Sequence, residues 1–150
     1  MVGQAIDMAM PSIDFVLRTV AKRHAGHLRV STVVNGGWET IATRDFGDRS
    51  TWQHEYEEHA TGKEEISQRT GKSSRAVQSM YPELLEHDDT VYYGSVISPG
   101  GTIVVAFSGV EAYFDEMIAH WVLIAILALL VEALEAQRAA GQSFFFREID

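Results

Sequence analysis

Four places in this 150-residue sequence combine side chains that could do chemistry. The first is His24, with His27 three residues on. His24 ends a run of apolar positions, Ile13, Val16, Leu17, Val20 and Ala21, spaced as one stripe of a helix. An imidazole at the edge of an apolar face is what an axial haem ligand needs. The competing account is a histidine that closes a helix C-terminus, where partial negative charge favours the protonated ring.

The second place is "WQHEYEEHATG", with His54 and His59. A zinc-protease motif needs histidines at i and i+4 with a glutamate beside the first. Five residues apart is about 140° around a helix, so these two rings are expected on different, solvated faces without a metal. The third is "RTGKSS", Arg69 to Ser74. It lacks the first half of a P-loop. Lys72, two hydroxyls and open N–H groups could still hold an anion at a helix start. Alternatively, Ser73 or Ser74 simply caps a helix running to Met80. The fourth is "FSGVEAYFDEMIAH". Ser108-Gly109 is not a nucleophile elbow. Gly109 permits a tight strand-to-helix turn, and Asp115 and Glu116 suit the positive end of a helix. No Ser-His-Asp order and no close carboxylate pair stands out, so nothing requires an enzyme.

Composition narrows the classes. The chain is 46% hydrophobic and 22% charged, which is a globular balance for one domain with a core. A formal net charge of -9 disfavours nonspecific nucleic-acid binding and adhesion to anionic lipid. The absence of cysteine excludes disulfides, thiolate metal sites and a cysteine nucleophile, and fits a reducing compartment. "MVGQAIDMAMPSIDF" has no basic start and carries Asp7 and Asp14, unlike a secretory signal. The expectation is a cytoplasmic protein.

The elements that must position these residues follow from periodicity. The Ile13–His24 stripe predicts a first helix with Pro11 in its opening turn and Gly26 as its stop. "HLRVSTVV" and "WETIAT" around Asn-Gly-Gly read as a hairpin, and "RDFGDRS" as a loop. Ser50 with Gln53 resembles a capping box, which predicts a helix from about Thr51. Helical segments then run to Glu86, broken at Thr61-Gly62, at Thr70-Gly71 and before Pro82. "TVYYGSVIS" and "TIVVAFSG" flank the turn signal Pro-Gly-Gly. Ile103 to Phe107 is apolar without alternation, as in a central strand covered on both faces. "SFFFREI" is expected to be a further strand or an arm.

The long apolar run Met117–Val131 follows, interrupted only by His120. As a helix it spans roughly 22 Å, short of the about 30 Å of a bilayer core. The expectation is therefore no membrane. One face should pack on the sheet near Val104 and Ala106, and the opposite face should meet a neighbouring chain, as a wholly apolar helix must be covered on more than one side. Helix, hairpin, helices, hairpin, helix predicts an α+β fold: an antiparallel sheet flanked by helices in a profilin-like layered single domain.

"QRTGKSS", the strand opening "YYGSVIS", then "GGTIVVAFSG" and "FDEMIAHW" together resemble the GlcG-like, haem-degrading domain family. That family includes haem-binding accessory proteins of bacterial sensor systems and the C-terminal domain of some corrinoid adenosyltransferases. Trp52, Lys63 and the Arg69–Ser74 segment look like one branch's Trp, Lys and Arg-x-Gly-x-Ser-Ser. Gly94, Ser108-Gly109 and Asp115 stand where the family has its Gly-Gly opening, its Ser-Gly strand end and its aspartate. Ser95 and Ser98 replace the usual second glycine and the proline, and Glu116 stands where a histidine often follows the aspartate. The likeness covers about Ile13 to Leu134, which implies a GlcG-like domain over 1–140 and a C-terminal tail over 141–150. The resemblance implies dimers or larger rings, and haem or another small molecule as ligand, with His24 the best match to an N-terminal-helix ligand. The candidate binding residues are His24, His27, Arg69, Lys72, Ser73, Ser74, Ser108, Gly109 and Asp115. A small-molecule-binding or sensory accessory protein, with haem or a related tetrapyrrole as ligand, competes with an enzyme of unknown reaction and with a ligand-free assembly protein.

Overall fold

The computed structural model describes residues 1–141. Four strands form one antiparallel sheet in the order β2-β1-β4-β3. These are β1 (Gly26–Val34), β2 (Gly37–Phe46), β3 (Ser95–Ile97) and β4 (Ile103–Ser108). The helices are α1 (Val2–Phe15), α2 (Tyr56–Thr70), α3 (Ser74–Met80) and α4 (Ala112–Ala139). The architecture is thus the expected α+β class, a sheet flanked by helices. The expected strand or arm at "SFFFREI" lies outside the described residues.

Local chemistry explains the two hairpins. Asn35 and Gly36 take φ of 50° and 81°, which the β1–β2 turn requires at both central positions. A bulge between Val30 and Ser31 absorbs one residue of β2. β2 runs on to Phe46, through three residues that the sequence suggested were loop. β3 and β4 join through Ser98, whose Oγ accepts from Thr102 and Ile103 N–H.

Residues two apart on a strand share a face, and the two faces of this sheet differ sharply. Leu28, Val30, Val96, Val105 and Phe107 belong to an apolar core with α1 and α4. His27, Arg29, Ser31 and Ser95 turn the other way, toward α2, with Val104 and Ala106. So α4 packs over Val105 and Phe107, not over Val104 and Ala106 as expected. A run without alternation does not reveal strand parity. The sequence was right that the strand is covered on both sides: Val104 through Phe107 are all fully buried.

The first helix starts far earlier than Pro11. Ala5, Ile6, Ala9 and Ile13 are its buried stripe, and Pro11 sits inside it on an exposed face. The helix widens to a π turn over Val16–Val20. It stops where Lys22 takes a φ of 53° and the Arg23 N–H reaches back to Leu17 O. His24 therefore lies in the link to β1, beyond the helix, and Val20 is exposed. Two further boundaries move. Asp48, not a Ser50–Gln53 box, caps a short 3-10 turn at Arg49–Thr51, and α2 begins at Tyr56. Gly62 lies within α2 without a break, whereas Gly71, with φ of 71°, ends it as expected.

α4 is 28 residues long, well beyond the apolar run. Ile118, Val122, Leu123, Ile126 and Leu129 face the core. Ile124, Leu130 and Val131 are exposed on the other side. By length and composition the helix also meets the requirements of a membrane span.

Candidate functional site

The site is built where β4 ends, between α2 and the first turn of α4. Lys63 lies at mid-α2 on the stripe Tyr56, Ala60, Lys63, Ser67, all buried against the sheet. Its Nζ donates to Asp115 Oδ2 at 2.8 Å and to Phe107 O at 3.0 Å. Asp115, in the first turn of α4, also accepts from the Val110 N–H through Oδ1 at 3.0 Å. Both side chains are nearly inaccessible, at 1% and 3%. Burial pushes the Asp115 carboxyl up to about 6, against the opposing pull of Lys63 and of the Val110 and Gly109 N–H groups. Burial also depresses the Lys63 ammonium, outweighing the attraction of Asp115. Desolvation therefore exceeds pairing on both partners, which is the usual balance for an ion pair taken out of water.

The strand opening closes the back of this pair. Gly94 has φ of 152°, and a Cβ there would lie 2.7 Å from Phe107 O and 2.8 Å from Asp115 Cβ. Only glycine lets the chain pass so close. Ser74 fixes that passage: its Oγ accepts from the Gly94 and Ser95 N–H groups, each at 3.0 Å. Ser95 Oγ in turn donates to Lys63 O at 2.7 Å. Gly109 is equally constrained, since a Cβ would come within 2.7 Å of Gly26 Cα.

In front of the pair is an open-mouthed cavity of about 160 Å³. Lys63, Asp115, Ser108 and Gly109 form its floor, and Arg23, His54, His59 and Tyr92 stand around it. Arg23 Nη1 donates to Gly109 O at 3.0 Å. The rings of His59 and Tyr92 meet edge-on at 5.4 Å. The two histidines thus share one cavity, contrary to the expectation of separate faces. His54 precedes α2, so the helical angle between it and His59 does not apply. Among the described residues, no group of three His, Cys, Asp or Glu is arranged to hold a metal.

Ser108, Gly109 and Asp115 are the candidate residues that this cavity brings together. The others lie elsewhere. His24 is exposed, with Nδ1 3.8 Å from Asp14, and it does not line the cavity. His27 is buried on β1, its Nδ1 2.7 Å from Asp45 and its ring edge-on to Trp52. Arg69 grips Asp89, and Lys72 lies over the Tyr81 ring. Ser73 caps α3 through the Ala76 N–H, and Ser74 is the tie already described. "RTGKSS" thus forms a helix junction in which both serine hydroxyls accept from backbone N–H groups.

The Lys63–Asp115 cavity lies below the about 300 Å³ from which sites that enclose drug-sized ligands run, and His24 does not line it. The cavity residues that sequence reasoning passed over are Arg23 and Tyr92; His54 and His59 were weighed only as a metal pair and set aside. Lys63 entered only through the family resemblance. Its own signal was a lysine at a buried-stripe position of α2.

The chain matches no family model, no curated protein and no solved structure. Function therefore rests on the geometry.

Proposed function

We propose that the protein is a small-molecule-binding module of the GlcG-like type, with its ligand site at the Lys63–Asp115 cavity. One observation carries the reading: a fully buried ion pair opens onto a cavity rimmed by Arg23, His54, His59 and Tyr92. Convergent polar groups in a concave site are the usual mark of ligand recognition. The family resemblance adds support, because Lys63, Gly94, Ser108, Gly109 and Asp115, which are distant in sequence, meet around this one cavity. Among the described residues the Ser108 hydroxyl makes no hydrogen bond to a histidine, and Lys63 is held by Asp115 and Phe107 O, so binding is favoured over catalysis.

The module works as a homo-oligomer. Met117, Trp121, Ile124, Ala128 and Val131 are spaced 4-3-4-3 on α4, the seam of a helix pair. Three of them are exposed and the other two half-buried. A second copy of the same helix supplies the complementary seam.

The test is a thermal-shift screen of small acids, amides, alcohols and sugars, with an absorption titration of haemin alongside. A ligand that raises the melting temperature of the wild type, but not of His59→Ala/Tyr92→Ala, supports the cavity. Stabilisation that both proteins share places the ligand elsewhere. A Soret band lost in His24→Ala would instead restore the haem reading.

A further inference from the structure

We infer that the cavity takes the carboxylate of a small organic acid, or an anion of similar size. This rests on the proposed ligand site and names its chemistry. Two cationic donors, Lys63 and Arg23, face the cavity. Lys63 has three N–H groups, and its two protein acceptors, Asp115 and Phe107, leave one for the cavity. Arg23 uses one nitrogen on Gly109 O and keeps the rest of its fork.

The start of α4 adds to this. Glu111 precedes the helix and makes no side-chain cap. The Ala112 and Tyr113 N–H groups lie outside the helix's own ladder. Ala112, at the cavity wall, therefore places N–H groups without a side-chain cap, at the start of a 28-residue helix, beside the cavity. Asp115 is the one acid among the described residues that line the cavity, and it is already engaged. Oδ2 takes Lys63 and Oδ1 takes Val110 N–H. On a chain of net charge -9, a concave site that gathers the Arg23 fork, a Lys63 N–H and open helix N–H groups is a selective feature.

Size sets the class. A cavity of about 160 Å³ holds a few heavy atoms, enough for a carboxylate with a short carbon skeleton. The Tyr92 and His59 rings at the mouth would then meet the apolar part. A neutral amide of the same shape would bring its NH₂ against these donors.

The experiment is a backbone-amide NMR titration in chloride-free buffer, with acetate, inorganic phosphate and neutral acetamide as probes. Saturable shifts at Gly109, Val110 and Ala112 are expected with acetate and not with acetamide. Phosphate shows whether charge alone suffices. Arg23→Gln should weaken acetate by about tenfold, the loss of one charge-assisted hydrogen bond, and Arg23→Lys should recover part of it. Equal response to acetate and acetamide, or no effect of Arg23→Gln, overturns the inference. If acetate fails while the wider screen finds a neutral ligand at the same amides, the anion fails and the ligand site stands. If no compound moves these amides, both fall.

Discussion

Replacing Lys63 with methionine tests whether the ion pair is as dry as its geometry implies. Methionine keeps the length and volume of the lysine stem and removes the charge. Asp115 is then left buried, with only the Val110 and Gly109 N–H groups for partners. Removing one member of a buried pair costs about 3–5 kcal/mol, a large share of the about 5–15 kcal/mol that holds a domain folded. Asp115 escapes part of this by taking a proton. Its folded carboxyl already sits near 6 with Lys63 present, raised chiefly by burial, and moves higher without it. The folded state then binds more protons than the unfolded state from about pH 4 upward, so the variant gains stability as pH falls from 8 to 5. Urea unfolding followed by tryptophan fluorescence at pH 5, 6, 7 and 8 measures both effects. The double variant Lys63→Met/Asp115→Asn keeps a carbonyl oxygen for the Val110 N–H and no charge. It should recover at least about 2 kcal/mol of the loss at pH 8, as a coupling term between touching residues. A Lys63→Met cost below about 1 kcal/mol, with no pH dependence, would show that water reaches the pair and would refute the reasoning.

Three more outcomes follow from the same structure. In the wild type, Asp115 contributes stability that is full below about pH 4 and is lost as pH rises through about 6, while Asp45 and Asp89, whose carboxyls the structure lowers, contribute the opposite way; the wild-type advantage over Asp115→Asn should therefore shrink from pH 4 to pH 7 in matched unfolding curves. Ser74→Ala orphans two buried N–H groups, Gly94 and Ser95, and should cost about 2 kcal/mol or more, whereas Ser73→Ala removes only a cap and should cost about 1 kcal/mol; equal costs in chemical denaturation would count against the tie. Light scattering at micromolar concentration should give at least twice the chain mass, and Ile124→Lys should shift it toward monomer without unfolding, since each wetted Ile forfeits about 1.5–3 kcal/mol; a wild-type monomer, or partition into detergent, would rule out the α4 seam.

The parts of the fold that were legible are those written locally. Asn35-Gly36 and the Pro-Gly-Gly turn fix two hairpins through backbone angles that few residues accept. Gly71 ends α2 for the same reason. Pro11 misled the reading of α1, because a proline on an exposed helical face resembles a first-turn proline in sequence. The end of that helix was misread as well: it stops before Lys22, whose φ is 53°, and this leaves His24 in a link. Asp115 and Ser108-Gly109 were legible as a strand-to-helix junction. The partner of Asp115 was not, since Lys63 lies 52 residues away and a buried charge leaves no local pattern. His54 and His59 were misjudged because the helical wheel assumes that both residues are helical. Ser74 looked like a cap because the N–H groups that donate to its Oγ, those of Gly94 and Ser95, are 20 and 21 residues on.

The contrast between the two sheet faces bears on why the site exists. The buried cluster on the α1–α4 side consists of Leu, Ile, Val, Phe and Ala, with Met10, Met117 and Trp121 packed at its edge, and that chemistry suffices to hold the layers together. The α2 side buries His27, Ser31, Glu64, Lys63, Ser67 and Ser95 instead. Glu64 there reaches Arg29 at 3.1 Å through one oxygen, and its other oxygen is buried without a partner. Polar groups so placed are weak contributors to stability, and apolar residues of similar volume would often serve as well or better. A fold under pressure for stability alone has no reason to keep a lysine under a helix and an aspartate beneath the next. The proposed ligand site supplies one. The pair fixes the first turn of α4 against α2, which leaves the uncapped N–H groups of that turn, the spare Lys63 proton and Arg23 aimed at one small volume. On this reading, the cost of burying the charges is offset where they meet a cavity open to solvent.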